Sequence, residues 1–298
     1  MSKHAYLIMA HHNFEQLLRL MQFLDSEDSD IYLHVDRKAA DYDVSAVRNT
    51  CRLSRVILLP RKKLAWSGSS LTKCEIAMLC KALPSKYDYY HLISGDDIPL
   101  RPLTEIHQYF DAHAGGQFVS INWEATRNPG IYSRIRQFYL FQDLIGRRGA
   151  GLRALLWEFQ LILVNVQKKL GVDRCRDFRL RLGKGSQWFS VTHDFAEYTV
   201  KLYDTELKRR FAFSKASDEL LMQTAILNSE EFFPRLSSNG NMRLIDWSRS
   251  PDGGSPYTFT SDDYEQMMAS GKLWARKVSR DVDSRIIDRI YQTIDPQE

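Results

Sequence analysis

Two neighbouring carboxylates, Asp96 and Asp97, stand directly beyond the run Tyr87-Asp88-Tyr89-Tyr90-His91-Leu92-Ile93-Ser94-Gly95. The apolar, aromatic part of that run has strand character, and Ser-Gly followed by Pro99 breaks it. A strand that ends in a small-residue turn bearing acids is how an open α/β sheet builds a site at its carboxyl edge. The same residues also make an ordinary turn, in which Asp bonds only the local backbone. Paired acids at a strand end can hold Mg²⁺ or Mn²⁺ beside a diphosphate. Successive side chains on extended backbone point to opposite faces, however, so these two would converge on one ion only through a turn. A bound metal is therefore not expected.

Three other groups have residue types suited to chemistry. Asp36 ends a second strand-like run and precedes Arg37 and Lys38. Its carboxylate could accept hydrogen bonds from a ribose or a base edge, or simply pair with those cations. Ser217-Asp218-Glu219 reads as the opening of a helix, with Ser217 as N-cap and acids complementing the helix dipole. The alternative is that Glu219 projects into a cleft as a general base. Arg249, Arg276 and Lys277 could clamp a diphosphate, or be solvated surface cations.

The elements that must position these residues follow from periodicity. Strands are expected at 5–10, 30–36, 56–59 and 89–93, with helices at 14–24 and 69–83. This alternation predicts an α/β fold with a mainly parallel central sheet flanked by helices. The second half adds strands at 118–123, 187–191 and 242–247, and helices at 152–170, 194–207, 218–227, 262–269 and 284–293. The whole chain, 1–298, reads as one domain.

Composition is that of a soluble globular protein, with 44% hydrophobic and 26% charged residues. The net charge of +4 is unevenly distributed. Between residues 134 and 184, twelve Lys and Arg face four Asp and Glu, a local +8. Such a field suits an anionic partner, but no compact motif with base-stacking aromatics points to nucleic acid. The four cysteines lack metal-site spacing. There is no G-x-G-x-x-G, no P-loop and no G-x-S-x-G. The first ten residues do not read as a signal peptide, and no stretch reaches the length of a membrane span. A cytoplasmic protein is expected.

The helix at 152–170 is apolar nearly all round and is flanked by Arg147, Arg148, Arg153, Lys168 and Lys169. All-round apolarity favours burial in the core or a dimer interface. The other reading is peripheral contact with the inner membrane surface.

Taken in order, several segments resemble the core-2/I-branching β-1,6-N-acetylglucosaminyltransferase family, which also includes peptide O-xylosyltransferases; the chain looks like a bacterial member. The segments are 5–13, Ile31-Tyr32-Leu33-His34-Val35-Asp36-Arg37-Lys38, Trp66-Ser67-Gly68-Ser69-Ser70-Leu71, 90–102, Gly185-Ser186-Gln187-Trp188-Phe189, Ser217-Asp218-Glu219, Leu244-Ile245-Asp246-Trp247 and Leu273-Trp274-Ala275-Arg276-Lys277 with Asp281-Val282-Asp283. The resemblance implies a GT-A-type glycosyltransferase fold, with a nucleotide-sugar-binding half at 1–115 and an acceptor-binding, catalytic half at 116–298. It implies inverting, metal-independent transfer from a UDP-sugar, with no cofactor, to a glycan or lipid-linked glycan acceptor in bacterial surface polysaccharide synthesis. The donor most expected is UDP-N-acetylglucosamine. UDP-xylose, UDP-glucose and UDP-galactose are alternatives, as is a non-catalytic nucleotide-sugar-binding module. By the same resemblance Glu219 is the catalytic base, and Asp36, Arg249, Lys277 and Trp66 hold the nucleotide and diphosphate. Asp97, Asp96, Ser186, Trp188, Arg134 and Trp247 are implied around the donor sugar or acceptor. Asp96 departs from the family, where an uncharged residue is expected before the Asp.

Overall fold

The computed structural model describes residues 2–147, 149–250 and 253–295. Six strands form the main sheet: β1 (His4–Ala10), β2 (Ser29–Val35), β3 (Val56–Leu58), β4 (Tyr89–Ser94), β6 (Phe118–Ile121) and β7 (Gly185–Thr192). Their order is β3-β2-β1-β4-β7-β6. The first four are mutually parallel, and β7 runs antiparallel to both β4 and β6. A small second sheet places β9 (Trp274–Arg276) between β5 (Asp97–Pro99) and β8 (Arg243–Ile245). The expected α/β class with a mainly parallel sheet is what the chain forms.

Helices cover both faces of the main sheet, so every residue of β1 is buried. Alternation then divides the strand between two cores. Tyr6, Ile8 and Ala10 pack with Leu17 and Leu20 of α1 (Phe14–Phe23) and with Ile287 and Ile290 of α7 (Ser284–Ile294). Ala5, Leu7 and Met9 pack with Met78 and Leu79 of α2 (Ser69–Ala82). The C-terminal helix earns its place by pattern: Ile286, Ile287, Ile290, Tyr291 and Ile294 form its buried stripe, and Asp283 caps it by accepting from the Arg285 amide.

Helices α3 (Leu103–Ala112), α4 (Leu152–Lys169), α5 (His193–Leu202) and α6 (Leu221–Leu227) complete the longer elements. Three expectations shift. Trp123 does not end a strand but begins a short helix, because the Asn122 side chain caps the Ala125 amide. The helix expected at 194–207 ends its α-turns at Leu202 and widens into a π-turn at Tyr203–Leu207. The long helix expected to be buried is α4, and within this chain it is a surface helix. Only Gln160 and Val164 are buried along it.

One glycine contact joins the two antiparallel strands. A Cβ on Gly185 would lie 1.8 Å from the Ser120 carbonyl oxygen of β6. Gly185→Ala should therefore lower the melting temperature, since overpacking against backbone costs about 1–3 kcal/mol or more. An unchanged melt would mean that β6 and β7 can part there freely.

Candidate active site

The carboxyl ends of β1 and β4 open side by side, with Met9 in register with Ser94. Two residues further on, each strand delivers chemistry to the same edge: His11 and His12 from β1, Asp96 from β4. One ligand-capable atom from each of His11, His12 and Asp96 lies within 4.8 Å of the others. Burial, and then the neighbouring His12 ring, hold His11 below its ordinary pKa.

Asp97 goes elsewhere, because Gly95 and Asp96 form a turn and only Asp97 enters the next strand. It begins β5 and faces Arg276 across the antiparallel pair with β9. Its Oδ1 accepts from the Arg276 guanidinium at 2.8 Å, and the same guanidinium also donates to Ser94 and lies 4.3 Å over the Trp188 ring. Burial pushes the Asp97 carboxyl upward, and Arg276 opposes that. Asp97 thus anchors a cation, while Asp96 looks toward His12 at 3.5 Å.

Asp36, at the end of β2, is buried, and its carboxylate accepts from the amides of Lys38 (2.8 Å) and Leu64 (3.2 Å). The Lys38 ammonium stands 3.4 Å away. The pairing with a neighbouring cation is therefore real, and it fixes the turn that follows β2.

A rim of aromatic and cationic groups follows. The Arg147 guanidinium lies 5.1 Å over the half-exposed Trp66 ring and donates to Gly254 O and Ser255 Oγ. The Lys277 ammonium reaches Ser255 Oγ at 3.5 Å. Trp66 and Lys277 are thus joined through Arg147 and Ser255. Arg249 is placed differently: Asp246 and Asp263 both hold it, at 2.6 and 2.7 Å, and it covers the Tyr257 ring. Its charge is already compensated inside the C-terminal segment. Trp247 is exposed beside it.

The local structure at Glu219 differs from the sequence reading, as it does at Trp247, which lies beyond the end of β8. Helix α6 starts at Leu221, so Ser217 is not its N-cap. The Ser217 hydroxyl instead meets Thr72 Oγ1 at 2.7 Å, and Ala216, at φ +50°, donates its amide to Ser67 O. These contacts draw 216–217 onto the Trp66-Ser67-Gly68 loop before the helix can begin. Glu219 sits in the resulting turn, where its carbonyl accepts from the Gly185 amide at 3.0 Å. Its Oε2 takes an ion pair from Arg134 at 2.8 Å and approaches Lys184 at 4.0 Å. Both cations address Oε2, which leaves Oε1 to accept a proton. Ser186 is engaged locally, its hydroxyl accepting from the Trp188 amide.

Behind Glu219 lies a second acid. Asp218 is buried, and Oδ1 has no hydrogen-bond partner among the described residues. Burial, and then Glu219, push its carboxyl up from 3.8 to about 7. Buried Glu75 is raised as well, by burial and then by Asp218. Between the unfolded and folded pKa values the folded chain keeps a proton that the unfolded chain has released. Stability from this group is thus present below the unfolded value and is lost as pH rises through about 7. Asp218→Asn should reduce that slope in melting temperature across the interval. An unchanged slope would show that Asp218 does not set it.

Sequence reasoning assigned no role to His11, His12, Lys184 or Arg147 within the site. The available signal was positional: His11 and Asp96 each lie two residues beyond the paired residues Met9 and Ser94.

Residues 4–269 match the Core-2/I-Branching enzyme family. Among curated proteins, the chain is 22% identical to xylosyltransferase 2 of Rattus norvegicus over 95% of its own length and 33% of the relative's. It is 20% identical to a xylosyltransferase of Ciona intestinalis, over 96% and 33%. The chain thus spans about a third of the length of these relatives. A solved structure of mouse xyloside xylosyltransferase 1 covers 92% of this chain and 97% of its own, at 11% identity and a TM-score of 0.38. With its match extending over nearly the whole sequence, the chain belongs to the Core-2/I-Branching enzyme family.

Proposed function

We propose that the chain is an inverting glycosyltransferase that moves a sugar from a UDP-sugar to a hydroxyl of a glycan or lipid-linked glycan acceptor. The observation that carries this reading is the Glu219 carboxylate, partly exposed and held by Arg134 and Lys184 through one oxygen. In such a transfer Glu219 removes the proton of the acceptor hydroxyl as that oxygen bonds to the anomeric carbon. The bond to the UDP oxygen breaks on the opposite side, and the leaving diphosphate gains negative charge. Fixed cations stabilise that charge without solvent reorganisation. Lys277 is the first candidate for this, with Arg276 behind it.

The reaction on this reading needs no metal. Asp97, one of the two acids that could have held an ion, is already paired with Arg276. Activity should therefore survive excess EDTA. Loss of activity with EDTA and recovery with Mn²⁺ would make His11, His12 and Asp96 a metal site and overturn this part of the proposal.

The donor proposed first is UDP-N-acetylglucosamine, and surface polysaccharide synthesis is the proposed setting. A second reading, UDP-xylose, is favoured by the names of the relatives. Release of UDP from a panel of UDP-sugars with a mixed glycan acceptor separates the two. No release from any donor, with UDP still bound, would support a non-catalytic binding module instead.

A further inference from the structure

The outward side of α4 carries a continuous apolar stripe. Leu152, Leu155, Phe159, Ile162, Val166 and Leu170 are between 44% and 75% exposed. At 3.6 residues per turn they fall within about 80° of the helix circumference and extend for roughly 27 Å. The opposite side is the packed one and is held by polar contacts. Gln160 donates to Gln142 Oε1 and accepts from the Phe141 amide, and Gln167 exchanges hydrogen bonds with the Phe138 backbone. An amphipathic helix normally turns its apolar side inward; α4 turns a wide apolar side to solvent. Among the described residues, no helix is long and apolar enough to cross a membrane, so this stripe could contact a bilayer only at its surface.

Charge identifies what would cover the stripe. Lys169 is exposed about 60° round the helix from the centre of the stripe, whereas exposed Arg153 and Lys168 lie on the far side, about 140° and 160° from it, and Arg148 lies outside the described residues. The helix itself carries three Lys and Arg against one acid, Glu158, a net +2. Two copies meeting through this face would bring like fields together, whereas an anionic bilayer surface would meet one of opposite sign. We infer that α4 lies flat on an anionic phospholipid surface, its stripe among the acyl chains and Lys169 among the headgroups. The helix is also close to the site described above, since Gln160 holds Gln142, whose amide donates to Trp66 O. On the transferase reading, this contact would bring the cleft to a membrane-borne acceptor, although the docking itself does not depend on that reading.

Co-sedimentation with phosphatidylglycerol–phosphatidylcholine vesicles and with pure phosphatidylcholine vesicles tests the inference at low salt. Binding should be confined to the anionic vesicles. Lys169→Ala should weaken it by about fivefold. Leu155→Gln with Ile162→Gln should abolish it while circular dichroism and UDP release with a soluble acceptor stay unchanged. Absent binding, equal binding to both vesicle types, or undiminished binding of the Leu155→Gln, Ile162→Gln variant would each overturn it. So would sedimentation as a dimer that this variant converts to monomer while vesicles retain neither.

Discussion

Glu219→Gln should lose about 10²- to 10⁴-fold in turnover, the usual cost of removing a general base, while UDP still binds. The amide keeps the shape of the side chain but cannot accept the acceptor's proton. The backbone contact from Gly185 to the Glu219 carbonyl is untouched by the change, so the turn should persist. The measurement is kcat with saturating donor and acceptor, alongside calorimetric titration with UDP. Near-normal kcat would remove Glu219 from the mechanism. A combined loss of turnover and UDP affinity would mean that the side chain holds the turn rather than takes the proton.

Lys277→Ala should weaken UDP binding by about 10- to 100-fold, as expected for losing a hydrogen bond to a charged group, and should also slow turnover. Two positions serve as comparison. Arg249→Ala should leave UDP affinity nearly unchanged, because Asp246 and Asp263 already hold that guanidinium. Arg276→Ala should be the more damaging change to stability, because it strands the buried Asp97 carboxyl without its ion-pair partner. Equal effects of Lys277→Ala and Arg249→Ala on UDP affinity would make the diphosphate contact diffuse and sink the assignment to Lys277.

The sheet was legible because β1 and β4 are fully buried strands, and β2 nearly so, that read as largely apolar runs ending in turn residues. Asp96 and Asp97 do part company, although through a turn at Gly95-Asp96 rather than by alternation along an extended strand. The start of α6 was not legible. Ser217 has the composition of an N-cap, and only a partner 145 residues away in sequence, Thr72, diverts its hydroxyl. The exposure of α4 was hidden for a similar reason. Apolar content reports what a helix could bury, while the inward choice of Gln160 over Leu155 depends on polar groups supplied by residues 138–142. The pairing of His12 with Asp96 was obscured because strand register, not sequence distance, sets their separation.

The insertion of β7 between β4 and β6 has a consequence for how the chain is made. Strand β4 ends at Ser94, and the strand that pairs with its free edge ends at Thr192. At about 5–20 residues per second, a ribosome leaves that edge without its partner for about 5–20 s. During that time Tyr90, His91 and Leu92 offer unpaired backbone groups beside apolar side chains, the form in which strands recruit other chains. Slowed elongation between these two points should therefore raise the fraction of aggregated product, whereas the same delay placed after residue 192 should not.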